Sequence, residues 1–336
     1  RYALGVLSSD CISSSAYGSE QILLALVPAF GLAAFAMLMP MTAIVLVILL
    51  VITLSYRDVI NVYTKIGGAY IVSRDNFGPV VAQIAAVALM LDYIVTVAIQ
   101  SAAGVAAIIS TFPALHDYKI PMILVVIVLL TYGNLRGVKE AGKAFALPTY
   151  FFVGCMFIVF SVGLYKQFNG TLIQLSVEQP GAIEIGQEQG LLTFAAIFIL
   201  LRAFANGGSS LTGLEAISDG VALFKTPEHV NARRTLYIMS TLLGTLVLGV
   251  SWFAHKIHAV PYESGTPTVI SQIAKTIMGD GAVGQIMFVM VQLATMLILF
   301  AGANTTYSAF PILVNFVAAD GYLPRQLTKR GHRLAF

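Results

Sequence analysis

The sequence predicts an all-α polytopic membrane protein built from inverted repeats, and three observations predict it. Its 336 residues are 58% hydrophobic and 10% charged, where soluble domains are about 45–50% apolar and about 25% charged. The apolar residues fall in blocks close to the ~20 residues that span a bilayer core. Two blocks, the first and the sixth, carry polar and glycine-rich interruptions at the same place in successive groups of five. Paired breaks of that kind point to a transporter with inverted repeats.

Eight apolar segments can be marked, at about 3–30, 36–55, 79–110, 120–135, 146–165, 190–224, 235–254 and 282–318. Segment one holds the polar stretch "SSDCISSSAYGSE" at 8–20, directly before "QILLALVPAF". Irregular backbone at membrane depth is tolerated only where it lines a cavity, so this stretch is expected to be the broken middle of a helix. Segment six carries the matching break, "NGGSSLTGLEAISDG" at 206–220. Segments two, four, five and seven are plain apolar runs. Segment eight is overlong for one span and holds "GANTTYSAFP" at 302–311.

The positive-inside rule tests this map. Arg1, the loops 56–78, 134–145 and 225–234 and the tail after 319 hold fourteen basic residues, while the opposite side holds only Lys119, Lys166, Lys256 and Lys275. That asymmetry fits eight spans with both ends of the chain in the cytoplasm. The first segment begins almost at residue 1, so the chain reads as trimmed at its N-terminus. Cys11 and Cys155 both lie in apolar segments, and no disulfide framework is expected.

Six ionisable residues remain inside the spans: Asp10, Glu20, Asp92, Arg202, Glu215 and Asp219. Each costs at least about 2.5 kcal/mol at a helix centre, so such residues normally face a cavity, a pathway or a partner. Five acids and one base favour a cation over an anion. Asp10 and Glu20 bracket the first break, while Glu215 and Asp219 follow the second. In segment three, Tyr93, Thr96 and Gln100 recur at i, i+3 and i+7 and share one helix face, with Asp92 beside them. Two readings fit Thr96 and Gln100, site residues or helix-packing hydrogen bonds. Thr212 and Glu215 converge in segment six as oxygen ligands suited to a desolvated monovalent cation. Asp219 either joins them or caps the cytoplasmic end. Arg202 either pairs with one of the acids or extends outward.

Enzyme motifs are missing from the sequence. There is no HExxH, no CxxC pair and no Walker A loop, and no histidine lies within a span to activate the serines of "GGSS" at 207–210. His255 and His258 read as solvated residues of an outer loop. A non-enzyme without cofactor or nucleic-acid partner is expected, with the lipid bilayer as its surroundings.

"TKIGGAYIVSRDNFGP" at 64–79, "TGLEAISDGV" at 212–221 and "ANTTYSAFPILVNFVAADGYLPRQL" at 303–327 resemble the amino acid–polyamine–organocation superfamily. "LGVLSSDCISSSAYGSEQILL" at 4–24, with "LDYIVTVA" at 91–98, resembles a narrower branch, the KimA-type potassium/proton symporters. The resemblance covers nearly the whole chain. It implies a LeuT-type inverted-repeat fold, with helices 1 to 5 at about 3–165 and helices 6 to 8 of a partial second repeat at about 190–318. It also implies proton-coupled potassium uptake across the bacterial plasma membrane. The ion-binding positions it implies are Asp10, Tyr17, Asp92, Tyr93, Thr96, Thr212 and Glu215. Asp10 and Glu215 are the candidates for proton coupling, and Gln100, Asp219 and Tyr307 are secondary candidates. Gln100 departs from the serine expected at its position, and Cys11 from a small residue. Family members continue beyond "DGYLPRQLTKRGHRLAF" with further helices and a cytosolic domain that mediates homodimerisation. The chain is therefore expected to be a single transmembrane domain truncated after about eight helices.

Two alternatives stand beside potassium import. One is a proton-coupled amino acid or polyamine permease, although "ISSSAYG" is crowded with hydroxyls beside an acid where a substrate carboxylate would need bare amides. The other is a non-transporting remnant of the fold.

Overall fold

The computed structural model describes residues 7–63, 68–136, 142–186 and 193–329, without the side chains of 142–145 and 223. Of the basic residues used for orientation, Arg1, Lys65, Lys139, Arg330 and Arg333 lie outside that range, as does the Lys143 side chain. Apart from one isolated bridge between Ala182 and Tyr262, regular structure among the described residues is helical.

The first apolar segment is divided. A short helix α1 (Ser9–Ser13) passes through a 3-10 turn at Ser14–Ala16 into α2 (Gly18–Phe30). A turn at Gly31, with φ 56°, leads to α3 (Ala33–Val62). The Gly31 backbone lies so near the Gly186 carbonyl that a Cβ would approach its oxygen to 2.6 Å. Next come α4 (Gly68–Phe77) and α5 (Pro79–Thr111), whose start follows the helix rule of proline at the first position. Helices α6 (Lys119–Leu135) and α7 (Gly142–Phe168) complete the first half.

The second half opens with α8 (Phe194–Gly208), where the Thr193 hydroxyl accepts from Ala196 N at 3.1 Å as an N-cap. A 3-10 turn at Ser209–Leu211 and extended backbone at Thr212 separate it from the five-residue α9 (Glu215–Asp219). Helices α10 (Glu228–Ile257), α11 (Val269–Met278) and α12 (Ala282–Ala319) follow. Among the described residues, seven helices are long and apolar enough to cross a membrane. The divided segment one is the remaining apolar block. The overlong eighth segment is one 38-residue helix with Pro311 inside it.

Two elements were not legible as helices. Helix α4 lies in the basic loop before segment three, and α11 in the connection after segment seven. Several helices also outrun their apolar segments, because helix hydrogen bonds close within the element and its polar ends can project into water. The histidines differ from expectation as well. His255 sits in the last turn of α10 with Nδ1 2.8 Å from Phe35 O, and His258 stacks on the Phe35 ring at 4.8 Å.

Large apolar side chains such as Val47, Leu50, Ile84, Val128 and Ile286 point outward, the distribution expected when lipid is the solvent. Inside, hydroxyls pin the helices. Ser251 of α10 meets Ser19 of α2 at 2.7 Å and Thr42 of α3 at 2.9 Å, and Thr53 reaches Ser240 at 2.9 Å. Such interhelical bonds add specificity where lipid removes much of the hydrophobic drive. Helices α5 and α12 pack along each other, and α1 lies against α12. This arrangement puts the break of the first segment between two long helices.

Candidate functional site

Asp10 lies in α1 and is 4% exposed. Its two carboxylate oxygens are held from two different helices. Gln100 of α5 donates Nε2–H to Oδ1 at 2.5 Å, and Thr306 of α12 donates to Oδ2 at 3.2 Å. Gln100 Nε2 also reaches Ser13 Oγ at 3.1 Å. The Ser13 hydroxyl in turn donates to the Asp10 carbonyl at 2.7 Å. Gly213 makes the fit possible from the other break. It holds φ 81°, and a Cβ there would lie 2.9 Å from Asp10 Oδ2 and 2.7 Å from Cys11 N. Gly302 does the same on α12, where a Cβ would lie 2.6 Å from Gln100 Oε1.

A second group of oxygens lies one turn along. Ser14 Oγ is 3.0 Å from the Tyr17 hydroxyl and 3.0 Å from Thr212 Oγ1. Thr212 donates to Ser209 O at 3.2 Å, and Tyr17 approaches the same carbonyl at 3.5 Å. The broken middles of segments one and six therefore face each other, and carbonyls released by the second break lie among the hydroxyls. Helix interruptions free such groups for a ligand.

The remaining expected residues spread around this centre. Glu215 is buried at the start of α9 and interacts electrostatically with Asp10, Asp219 and Asp92. Asp92 is half-buried and accepts a hydrogen bond from Thr96, one turn away on α5. Tyr93 is buried among Tyr70, Leu313 and Val317. Asp219 stands at the far end of α9, where Ser218 lies 3.4 Å from it and Gly68 of α4 leaves no room for a Cβ beside it. Tyr307 does not join the cluster, since its hydroxyl meets Thr131 of α6 at 2.8 Å. Arg202 is exposed on α8 and forms no ion pair among the described residues.

Ser13, Ser14 and Gly213 entered the sequence reading only within the quoted stretches of the two breaks, and Gly302 and Thr306 were not singled out. A signal for Thr306 was present: Gly302, Thr305 and Thr306 form an i, i+3, i+4 stripe, and Thr305 meets Ser9 at 3.0 Å. No three His, Cys, Asp or Glu side chains gather as they would around a divalent metal, among the described residues. What does gather is carboxylate, hydroxyl, amide and carbonyl oxygen, a hard donor set of low charge density.

The sequence profile of the amino acid permease family matches residues 4–335. The chain is also 42% identical, over 335 residues, to the potassium transporter KimA of Bacillus subtilis (strain 168). That match covers 99% of this chain and 53% of KimA, so the chain spans about half the length of the curated relative it matches.

Proposed function

The chain belongs to the amino acid permease family, and we propose that it forms the membrane core of a potassium importer driven by proton symport. The observation that carries this reading is the apposition of the two helix breaks, with Asp10 on one and Thr212 and Glu215 on the other. The similarity to a potassium transporter supports potassium as the cargo. In this reading the ion sheds its water among Asp10, Tyr17, Tyr93, Thr212 and Glu215, helped by freed carbonyls. Asp92 and Thr96 belong to its path on α5, and Asp219 to its cytoplasmic exit. Protonation of Asp10 or Glu215 removes a charge that attracts the cation, which links the two fluxes. Alternating access moves one repeat against the other around this fixed point. The protein resides in the bacterial plasma membrane with the basic loops inside.

The test is potassium-limited growth of a bacterium stripped of its own potassium importers and expressing the full-length gene. Rescue that strengthens at acidic external pH and is lost with Asp10→Asn is the expected result. Absence of rescue by well-expressed protein overturns potassium import. Uptake of a labelled polyamine by the same cells would then assign the acidic cavity to an organic cation.

A further inference from the structure

One buried group in this site has a polar atom to spare. Gln100 is completely buried; its hydrogen bonds to Asp10 and Ser13 both go through Nε2, and its side chain also interacts with the Tyr17 hydroxyl. Its Oε1 finds no donor among the described residues. A buried amide oxygen without a partner is costly. Amide orientation is decided by the surrounding donors and acceptors. In this case the surroundings are unambiguous: Asp10 Oδ1 is an acceptor, and Ser13 commits its single proton to the Asp10 carbonyl. Both demand the NH2 end of the amide.

We propose that the Gln100 amide is a rotor whose NH2 group stands in for a cation beside Asp10, and whose carbonyl becomes a ligand when a cation arrives. The inference rests on the reading of the chain as a monovalent-cation transporter. An amide N–H and a desolvated potassium ion occupy similar distances from an oxygen, and both present positive charge to it. Turned by half a revolution, Gln100 would set Oε1 beside Asp10 Oδ1 and Ser13 Oγ. Three oxygens facing one point repel each other unless a cation lies between them. With the cation there, the same three are a ready ligand set, and the unpartnered oxygen acquires its partner. Gly302 keeps the turning space open, because a Cβ at that position would stand 2.6 Å from Oε1 and 2.7 Å from Ser13 Oγ. The charged groups around the rotor are all acidic. Asp10 faces it from α1, Asp92 lies on its own helix and Glu215 acts on Asp10 from α9. No basic residue competes for the role of counter-charge there, among the described residues.

The rotor separates two properties that a simple packing role would leave together. Gln100→Met keeps the length and removes donor and acceptor. Gln100→Glu keeps oxygen ligands and removes the donor. Both are to be made in the full-length protein and measured in proteoliposomes with potassium as the probe. Gln100→Met is expected to raise KM for potassium about ten-fold, the size of one lost polar contact to a charge, and to change kcat less. Gln100→Glu is expected to bind potassium at least as tightly as the parent. A second readout is the infrared difference spectrum between potassium and choline media. The parent should show a side-chain amide carbonyl band that Gln100→Met lacks. Equal KM in the parent and Gln100→Met, or a parent spectrum without that band, overturns the rotor while leaving potassium transport in place. A parent that neither transports nor responds to potassium overturns the underlying reading and the rotor with it.

Discussion

Ser14 Oγ and Thr212 Oγ1 lie 3.0 Å apart, although 198 residues separate them in the chain. One belongs to the broken middle of the first apolar segment and the other to the broken middle of the sixth. Thr212→Val keeps the shape of the side chain and removes this contact together with the bond to Ser209 O. The expected cost is about 1 kcal/mol of stability, seen as a lower unfolding temperature of the purified protein, with a raised KM in potassium uptake. An unchanged KM would separate the hydroxyl pair from the cation site.

The opposite side of the bundle offers a second test. Glu20 is buried, and its Oε2 accepts from Val269 N at 3.2 Å, at the first turn of α11. A carboxylate there is favoured by the helix dipole as well as by the hydrogen bond. Thr268 N of the same turn donates to Ser110 Oγ at 3.4 Å, and Ser110 lines a cavity of about 810 Å³. Glu20→Ala leaves Val269 N buried without its partner, at a cost of about 1–3 kcal/mol. Helix α11 should then loosen. A cysteine placed at Ser110 should react faster with a membrane-impermeant thiol reagent in the Glu20→Ala background. Equal labelling rates would mean that Glu20 does not hold α11 closed.

How far the sequence could be read follows from what each kind of signal depends on. The apolar blocks and the breaks at 8–20 and 206–220 were legible because lipid acts on every residue of a span. The acids Asp10 and Glu215 were legible because their cost inside a membrane demands a reason. Thr306 was harder to find: one hydroxyl among several in a 38-residue apolar helix reads equally well as packing, and only the approach of α1 distinguishes it from Tyr307 beside it. The glycines at 213 and 302 were hidden for a related reason. Their meaning lies in what a side chain would strike on another helix, which local pattern does not contain. Helices α4 and α11 are ten residues each, too short for the spanning signal and placed where polar loops were expected.

Gly213 supports the sharpest steric prediction. Its φ of 81° lies in the left-handed region, and a Cβ would come within 2.7 Å of Cys11 N and 2.9 Å of the Asp10 carboxylate. Backbone strain alone costs an L-residue about 1–2 kcal/mol. The clash adds to it and pushes the two breaks apart. Gly213→Ala should abolish uptake in protein that still reaches the membrane, whereas Gly78→Ala, which carries the same kind of backbone strain at φ 84° but has open space around it, should retain it. Comparable uptake by the two variants would mean that the breaks tolerate separation.

Asp320 gives the pH test, and the sign follows from its partners. It caps the end of α12, where the helix dipole works against a carboxylate. Tyr70 of α4 donates to Oδ2 at 2.7 Å, and Arg74 Nη1 lies 3.0 and 2.8 Å from its two oxygens. The Tyr70 hydroxyl first, and the Arg74 guanidinium after it, hold the Asp320 carboxyl below the usual carboxylate range. Burial, and then the Asp320 carboxylate, push the Tyr70 phenol up to about 12, so it remains a donor throughout. Between the folded and unfolded values the unfolded chain binds the extra proton, and stability there rises with pH. The contribution is therefore complete above the unfolded value of about 3.9 and disappears as pH falls through the folded one. Because Arg74 is 40% exposed, water screens the pair, and Asp320→Asn should cost about 0.2–1 kcal/mol at neutral pH. The gap in unfolding temperature between parent and variant should narrow as the medium is taken below about pH 4. A gap that stays constant into acid would show that the asparagine harms packing, and that the charge on Asp320 contributes nothing to joining α4 and α12.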